Sequence, residues 1–295
     1  MMQTATPSLA DFLAAPAAAI AGVAPATVVY APGGTRRQAV FEGIEPWSEE
    51  FIDWAWKHTM ASAELLFRHG VRNLLLTALT PGNFREVNRY RAQLLERTAS
   101  FIAGADALAT YQRFGWRVRL IGAECVPELA AAAAQLRRAT AADGAHTIYW
   151  TVAPDEDSVW QSLWVIAQQT QFSTRAEAIH ALYGEEIEPA TLYLAFGKPL
   201  ISQAIIPPLL QGELHCYWSQ QPGYTLTEQQ LRTILYDYAH LRPTWREEKL
   251  ERAHEALAHR QAWQEGPILG LGMRLGPFWY PAPMSSQAWP SVDET

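Results

Sequence analysis

Six short runs of β-branched, aromatic and aliphatic residues recur along the chain. They lie at Thr27 to Tyr30, Leu74 to Leu79, Trp116 to Ile121, His146 to Val152, Thr191 to Phe196 and Leu214 to Trp218. Most are apolar at nearly every position, which is the mark of strands buried on both faces. Between them the apolar period lengthens to that of a helix. Strands alternating with helices predict an α/β fold: a central, mostly parallel six-stranded sheet flanked by helices.

The helical stretches carry their own start signals. Phe51, Trp54, Ala55, His58, Ala61, Ser62 and Leu65 form one stripe. Ser48 is placed to cap that helix, and Glu49 and Glu50 suit the positive end of its dipole. A second helix is expected to begin near Asn88, and an Ala/Leu/Arg helix to run from Pro127 to Ala142. Thr174 with Glu177, and Thr227 with Gln230, read as capping boxes. The second opens a helix whose apolar face is Leu231, Ile234, Leu235 and Tyr238. The expected organisation is an N-terminal segment (1–24), one domain (25–250), and a C-terminal part (251–295). That last part reads as a charged helix, then an irregular Gly/Pro/aromatic tail packed on the body.

Composition removes several classes of function. With 295 residues, 49% of them hydrophobic, the chain has ample material for a core and is not a disordered polymer. Its 23 basic and 30 acidic residues leave a net charge of -7, so no basic surface draws it to a nucleic acid. No apolar run reaches the roughly 18 to 20 residues of a spanning helix. The stretch Ala14 to Ala24 lacks a positive start, is preceded by Asp11 and is interrupted by Pro16, so it does not read as a secretory signal. A cytoplasmic protein without membrane insertion is expected. Cys125 and Cys216 are too few for a zinc site and read as reduced thiols.

Ligands of parallel sheets bind beyond the carboxyl ends of the strands, so the first two such loops matter most. The first strand runs into Ala31-Pro32-Gly33-Gly34-Thr35-Arg36-Arg37. Adjacent glycines let backbone amides approach an anion, Thr35 adds a hydroxyl and two arginines add charge. This suits a phosphate or diphosphate, although the string also reads as a Gly-Gly turn with solvated arginines. It is not a P-loop, because no Gly-Lys-Ser/Thr follows. The second loop, Thr80-Pro81-Gly82-Asn83-Phe84-Arg85, is followed by Asn88-Arg89-Tyr90. Tyr90 is suited to donate to a leaving oxygen, to face a cation, or simply to pack.

Twelve tryptophans, among them Trp47, Trp54 and Trp56 close to the first loop, offer faces for a carbocation or fill a core. Gly270, Gly272 and Gly276 imitate a dinucleotide fingerprint but lack its strand–helix context. The acidic strings Asp155-Glu156-Asp157 and Glu185-Glu186 read as helix starts or solvated loops. No Ser-His-Asp or Cys-His arrangement is legible in the spacing.

Gly34, Thr35 and Arg36 in the first loop, Asn83 and Phe84 in the second, and Gly212-Glu213-Leu214 together resemble the cis-prenyltransferase (undecaprenyl diphosphate synthase-like) family. A divergent terpene-synthase branch of that fold, which makes tuberculosinol and kolavelool, is more similar still. It shares Gly34 to Arg37, Leu66-Phe67 with His69-Gly70, Arg89-Tyr90, Tyr183 to Glu185, Phe196 to Lys198, and Ile234 to Asp237 with Leu241-Arg242. The resemblance spans roughly residues 25 to 280.

What the resemblance implies is a diterpene synthase. It would ionise a bicyclic C20 allylic diphosphate of kolavenyl or tuberculosinyl type and quench the cation with water to a tertiary alcohol such as kolavelool. It implies Tyr90, Arg36 and Arg37 as catalytic residues, and Gly33, Gly34, Thr35, Arg36, Arg37 and Asn83 as the diphosphate site. It also implies a bound Mg²⁺ with Glu213 as its ligand, and a homodimer. The chain departs from the family where Gly33 replaces its metal-linked aspartate and Phe51 replaces a second tyrosine. Lys198 is the nearest cation where the family has an arginine after its fifth strand. Other functions compatible with the fold are prenyl transfer to adenosine or isopentenyl diphosphate, and a non-catalytic partner subunit.

Overall fold

A computed structural model describes residues 6–46, 48–85, 89–198, 200–243, 252–264, 270–276 and 278–281. Six strands form one sheet: β1 (Thr27–Ala31), β2 (Asn73–Leu79), β3 (Arg117–Ile121), β4 (Thr147–Val152), β5 (Ala190–Phe196) and β6 (Gln211–Ser219). Their order is β3-β4-β2-β1-β5-β6, and every neighbouring pair is parallel. All six carboxyl ends therefore share one edge. At the centre of that edge Tyr30 of β1 is in register with Leu76 of β2 and Leu194 of β5.

Period-two alternation divides the core into two layers. Val28, Tyr30, Leu74, Leu76, Ile148 and Trp150 belong to the larger one. Helices α1 (Leu9–Ala14), α2 (Ala17–Ile20), α3 (Thr35–Phe41), α4 (Glu49–Arg68), α5 (Pro81–Phe84), α6 (Arg89–Ala103), α7 (Ala105–Phe114) and α8 (Ala130–Ala139) follow in order. Of these, α4, α6, α7 and α8 send buried residues such as Leu66, Ile102, Tyr111 and Leu136 into the larger layer. Val29, Leu75, Tyr149 and Tyr193 form the smaller layer with Ile179, Ile187, Ile206 and Leu210. Truncating a fully buried strand residue such as Leu74 to Ala costs about 2–5 kcal/mol, the loss of transfer energy plus a residual cavity.

The capping signals act as chemistry requires. Ser48 Oγ accepts from the Phe51 amide at 3.1 Å. Thr227 and Gln230 exchange both bonds of a capping box at the start of α11 (Glu228–Tyr236), which follows α9 (Ser158–Gln169) and α10 (Arg175–Tyr183). At α10 the box is displaced by one residue: Thr174 accepts from Glu177, but Glu177 returns to the amide of Ser173. The helix expected from Pro127 starts as a 3₁₀ turn and is α-helical only over Ala130–Ala139. It stops before Ala142 because Thr140 turns extended and its hydroxyl serves Leu136 and Val118.

Described residues near the start and in the C-terminal part contact the body. Phe12 of α1 meets Tyr236 and His240 edge-on, and Arg232 of α11 donates to the carbonyls of Leu13 and Ala15. The C-terminal tail was expected to be irregular. Instead it contains an antiparallel pair, β7 (Gly272–Leu275) with β8 (Phe278–Pro281). Its Trp279 lies under Lys198 Nζ, and Gly270 approaches the Trp218 ring. Among the described residues no helix is long and apolar enough to cross a membrane.

Candidate active site at the carboxyl edge of the sheet

The loop after β1 is shaped by two glycines with different tasks. Gly34 caps α3 in the left-handed region at φ 79°, where a side chain is strained. Gly33 is needed for a close approach: a Cβ there would sit 2.4 Å from the Phe196 carbonyl oxygen. Its own groups are used internally, the amide on Ala31 O at 2.9 Å and the carbonyl as acceptor for Gly223 N at 2.6 Å. Gly33 therefore packs the loop and presents no donor to an anion. The intrahelical bonds of α3 begin with Arg37 and Gln38 donating to Gly34 O, so the Thr35 and Arg36 amides have no intrahelical acceptor.

Thr35 and Arg36 line a cavity of about 250 Å³ between α4, α6 and the sheet. Its walls are mostly hydrocarbon: Phe51, Ile52, Leu76, Leu94, Phe101 and Trp150. Arg97 of α6 is a second guanidinium in the lining, whereas Arg37 is not part of it. A mostly apolar chamber with two guanidinium groups in its lining suits a molecule with a hydrocarbon body and an anionic head. A larger open space of about 590 Å³ lies between β6 and α11. Among the described residues its lining has no Arg or Lys to balance a diphosphate.

The aromatic wall is not the one expected. Trp54 and Trp56 are not among the lining residues, and Trp47 lies outside the described residues. Trp54 donates its indole N–H to Glu42 at 2.8 Å, and Trp56 meets Phe101 and Tyr111 edge-on. The indole that reaches the cavity is Trp150 of β4, anchored by donating to the Tyr111 hydroxyl at 3.2 Å.

The reading of the sequence missed Tyr224. It sits on the loop between β6 and α11 and lines the cavity. Its amide donates to Gln38 Oε1 at 2.6 Å, and Gln38 Nε2 donates to Glu42 at 3.1 Å. The ring lies edge-on to Trp54 and stacked on His58. Its hydroxyl is 2.9 Å from that of Thr59, which also sits 2.8 Å from the Ala55 carbonyl. Burial pushes the phenol up to about 12, against a smaller opposite effect of the Thr59 hydrogen bond. The available signal was the turn Gln221-Pro222-Gly223 ahead of an aromatic residue at a strand's carboxyl end.

The other sequence-derived residues fall as follows. Asn83 Oδ1 accepts from the Thr80 amide at 2.9 Å and approaches its hydroxyl at 3.0 Å, so its carbonyl closes α5 and only its N–H donors are suited to an anion. Tyr90 belongs to the first turn of α6, four residues before Leu94, and its side chain lies outside the described residues, as does all of Asn88. Lys198 is exposed and engaged with Trp279. Glu213 lies near the start of β6, six residues before Ser219, which meets Gly197 at the carboxyl edge. At strand rise that separation is about 20 Å, so within one chain Glu213 is remote from Gly33.

A metal site of the expected kind does not fit these residues. The Gly33 position has no carboxylate and no room for one, and Glu213 is at the far end of its strand. Among the described residues no three His, Cys, Asp or Glu side chains form a metal-holding group.

No model of a known protein family matches the chain. It is 45% identical over 284 residues to a (+)-kolavelool synthase of Herpetosiphon aurantiacus, covering 96% of this chain and 98% of that protein. It is 25% identical over 247 residues to a tuberculosinyl adenosine transferase of Mycobacterium tuberculosis, covering 79% and 82%. Among solved structures, lavandulyl diphosphate synthase from Lavandula x intermedia, in complex with dimethylallyl diphosphate, superposes with a TM-score of 0.56 at 17% identity. The match covers 74% of this chain and 97% of that one. A probable undecaprenyl diphosphate synthase from Campylobacter jejuni gives 0.51 at 14% identity, with 75% and 95% covered. These two likenesses concern the fold alone.

Proposed function

The chain belongs to the kolavelool synthase family of cis-prenyltransferase-fold terpene synthases, and we propose that it converts a bicyclic C20 allylic diphosphate into a tertiary diterpene alcohol. A kolavenyl-type diphosphate giving kolavelool is the leading substrate. The observation that carries this reading is a mostly apolar, aromatic-walled cavity whose lining also includes Thr35, Arg36 and Arg97.

In this reading Arg36, Arg97 and the Thr35 and Arg36 amides face the diphosphate. Their donors and charges meet negative charge that grows as the C–O bond breaks, which is where electrostatic help lowers the barrier. Tyr90, at the start of α6, donates to the departing oxygen, and Asn83 contributes its amide N–H groups. Arg37 lies next to the cradle and adds charge without lining the cavity. The faces of Trp150, Phe101 and Phe51 shelter the allylic cation by cation–π attraction and keep bulk water away. A water molecule then adds at the tertiary carbon. The described residues do not form a holder for a metal ion, so the charge on the diphosphate falls to these donors and guanidinium groups.

A second reading, transfer of the same cation to adenosine, is favoured by the likeness to a tuberculosinyl adenosine transferase. Product analysis by mass spectrometry separates the two. Purified protein would be offered clerodane- and labdane-type C20 diphosphates, linear C15 and C20 diphosphates with and without isopentenyl diphosphate, and adenosine. A tertiary alcohol from a bicyclic substrate alone is the expected product. An adenosine adduct would establish the second reading, and silence across the panel would overturn both.

A further inference from the structure

Two rings that line the cavity, Phe101 of α6 and Trp150 of β4, are held by two that are not among its lining, Trp56 of α4 and Tyr111 of α7. The four form a closed circuit. Trp56 meets Phe101 edge-on with centroids 5.3 Å apart and meets Tyr111 edge-on at 5.6 Å. Phe101 meets Trp150 edge-on at 5.9 Å. The fourth side is a hydrogen bond, in which the Trp150 indole N–H donates to the Tyr111 hydroxyl at 3.2 Å.

This bond is more than packing requires. Tyr111 and Trp150 are both buried, and a phenylalanine at 111 would fill the space without a hydroxyl to desolvate. A buried hydroxyl or indole N–H costs free energy unless it finds a partner, and here each satisfies the other. Burial pushes the Tyr111 phenol above its ordinary value, and the bond from Trp150 opposes this more weakly. The phenol therefore stays neutral and serves as an acceptor.

An indole tied through its Cα to β4 and through Nε1 to Tyr111 cannot turn about its side-chain torsions without breaking that bond. Cation–π attraction depends on where the ring face points, so a fixed ring favours one position of the charge. We propose that Tyr111 is a positioning residue: by holding the Trp150 indole N–H it fixes the ring against which the carbocation forms, and so sets both the rate of ionisation and the range of products. Tyr111 itself contributes no bond to the substrate and no proton. The proposal rests on the reading that this site ionises an allylic diphosphate. Because the cation develops only as the C–O bond breaks, the effect belongs to kcat and leaves KM in place.

The test compares four proteins: wild type, Y111F, a protein with Trp150 replaced by benzothienylalanine, and the combination. Benzothienylalanine keeps the fused ring and lacks the N–H. Release is followed with whichever diphosphate of the panel above the wild type turns over fastest, beside mass spectrometry of the products and a thermal melt. Each single change is expected to lower kcat by about tenfold with KM within about twofold of wild type. Part of the main alcohol should be replaced by isomeric alcohols and alkenes. The combination should fall no more than about twofold below either single change, because both remove the same bond. If Y111F does not fold, the benzothienylalanine protein carries the test with the same expectation. Unchanged kcat and products in the folded single variants overturn the proposal. A rise in KM at unchanged kcat also overturns it, since the pair would then only shape the cavity. So do losses that multiply in the combination, because Tyr111 would not be acting through the indole. A wild type that releases no diphosphate from any substrate of the panel overturns the underlying reading and this proposal together.

Discussion

The amide of Gly223 donates to the carbonyl of Gly33 across 2.6 Å, joining two loops that leave opposite ends of the sequence. One loop opens the helix that carries Arg36, and the other carries Tyr224. The contact exists because β5 lies between β1 and β6, and Gly197 at the end of β5 accepts no bulk: a Cβ there would meet Gly33 O at 3.2 Å. Three backbone segments thus meet where a side chain would separate them. The chemistry of the site depends on that convergence.

Arg36 to Ala should lower diphosphate release by about 10²- to 10³-fold, the usual consequence of losing a donor to developing negative charge. Arg36 is exposed, so stability should change by no more than about 0.5 kcal/mol. Arg37 to Ala, outside the cavity lining, should lower release by only about tenfold. A release assay beside a thermal melt checks all three statements.

Gly33 to Asp, which would restore the residue of the resembled family, should not create metal dependence. The new Cβ would lie 2.4 Å from a main-chain oxygen of Phe196, and backbone cannot give way as a side chain can. Overpacking of this kind costs about 1–3 kcal/mol. The melt should fall by about 2–4 °C for each kcal/mol lost, and magnesium titration should show no gain in rate.

Gly223 to Ala should damage both stability and release, whereas Gly43 to Ala should affect stability alone. Both glycines have positive φ, 71° and 79°, and each alanine incurs about 1–2 kcal/mol for that conformation. Only at Gly223 would the methyl also meet Gln38 Oε1, at 2.0 Å; at Gly43 there is open space. Parallel melts and release assays on the two variants separate strain from the loss of the loop contact.

Tyr90 to Phe keeps the ring and removes the hydroxyl. If that hydroxyl donates to the leaving oxygen, release should fall by about 10²-fold while the melt is unchanged. An equal loss of rate and of melting temperature would mark Tyr90 as a packing residue.

Acid should destabilise the end of α11 through Asp237. Partial burial raises its pKa, but hydrogen bonds from Tyr217 and Arg242, with the Arg242 charge, outweigh this and leave it below the ordinary carboxylate value. A carboxylate depressed in the folded state contributes stability that is fully present above its unfolded pKa. That contribution is lost as pH falls through the folded value. Stability of the wild type should therefore fall below about pH 4 more steeply than that of D237N, which lacks the titrating group. Denaturation curves collected from pH 6 to pH 3 make the comparison.

Local pattern was enough for every strand of the central sheet, for the caps at Ser48 and Thr227, and for the Gly34–Arg36 loop at a strand's carboxyl end. Burial acts on each residue separately, so its period is written along the chain. Where local pattern fell short, a distant partner had decided the outcome. The helix after Pro127 ends early because Thr140 bonds to Val118, and the tail pairs with itself where Gly and Pro suggested irregularity.

The sequence by itself determined that the chain would form a parallel sheet with the Gly33–Arg37 string on the loop and helix start at its carboxyl edge. Tertiary structure alone decided that Trp150 rather than Trp54 or Trp56 lines the cavity, that Gly33 is packed against Phe196 and bonded to Gly223, and that Glu213 stands far from both. It also decided that Thr59 and Tyr224, 165 residues apart, share a hydrogen bond. The physical reason is strand order. Placing β1 between β2 and β5 sets which loops converge, and no residue's local preference encodes a neighbour that the sheet supplies.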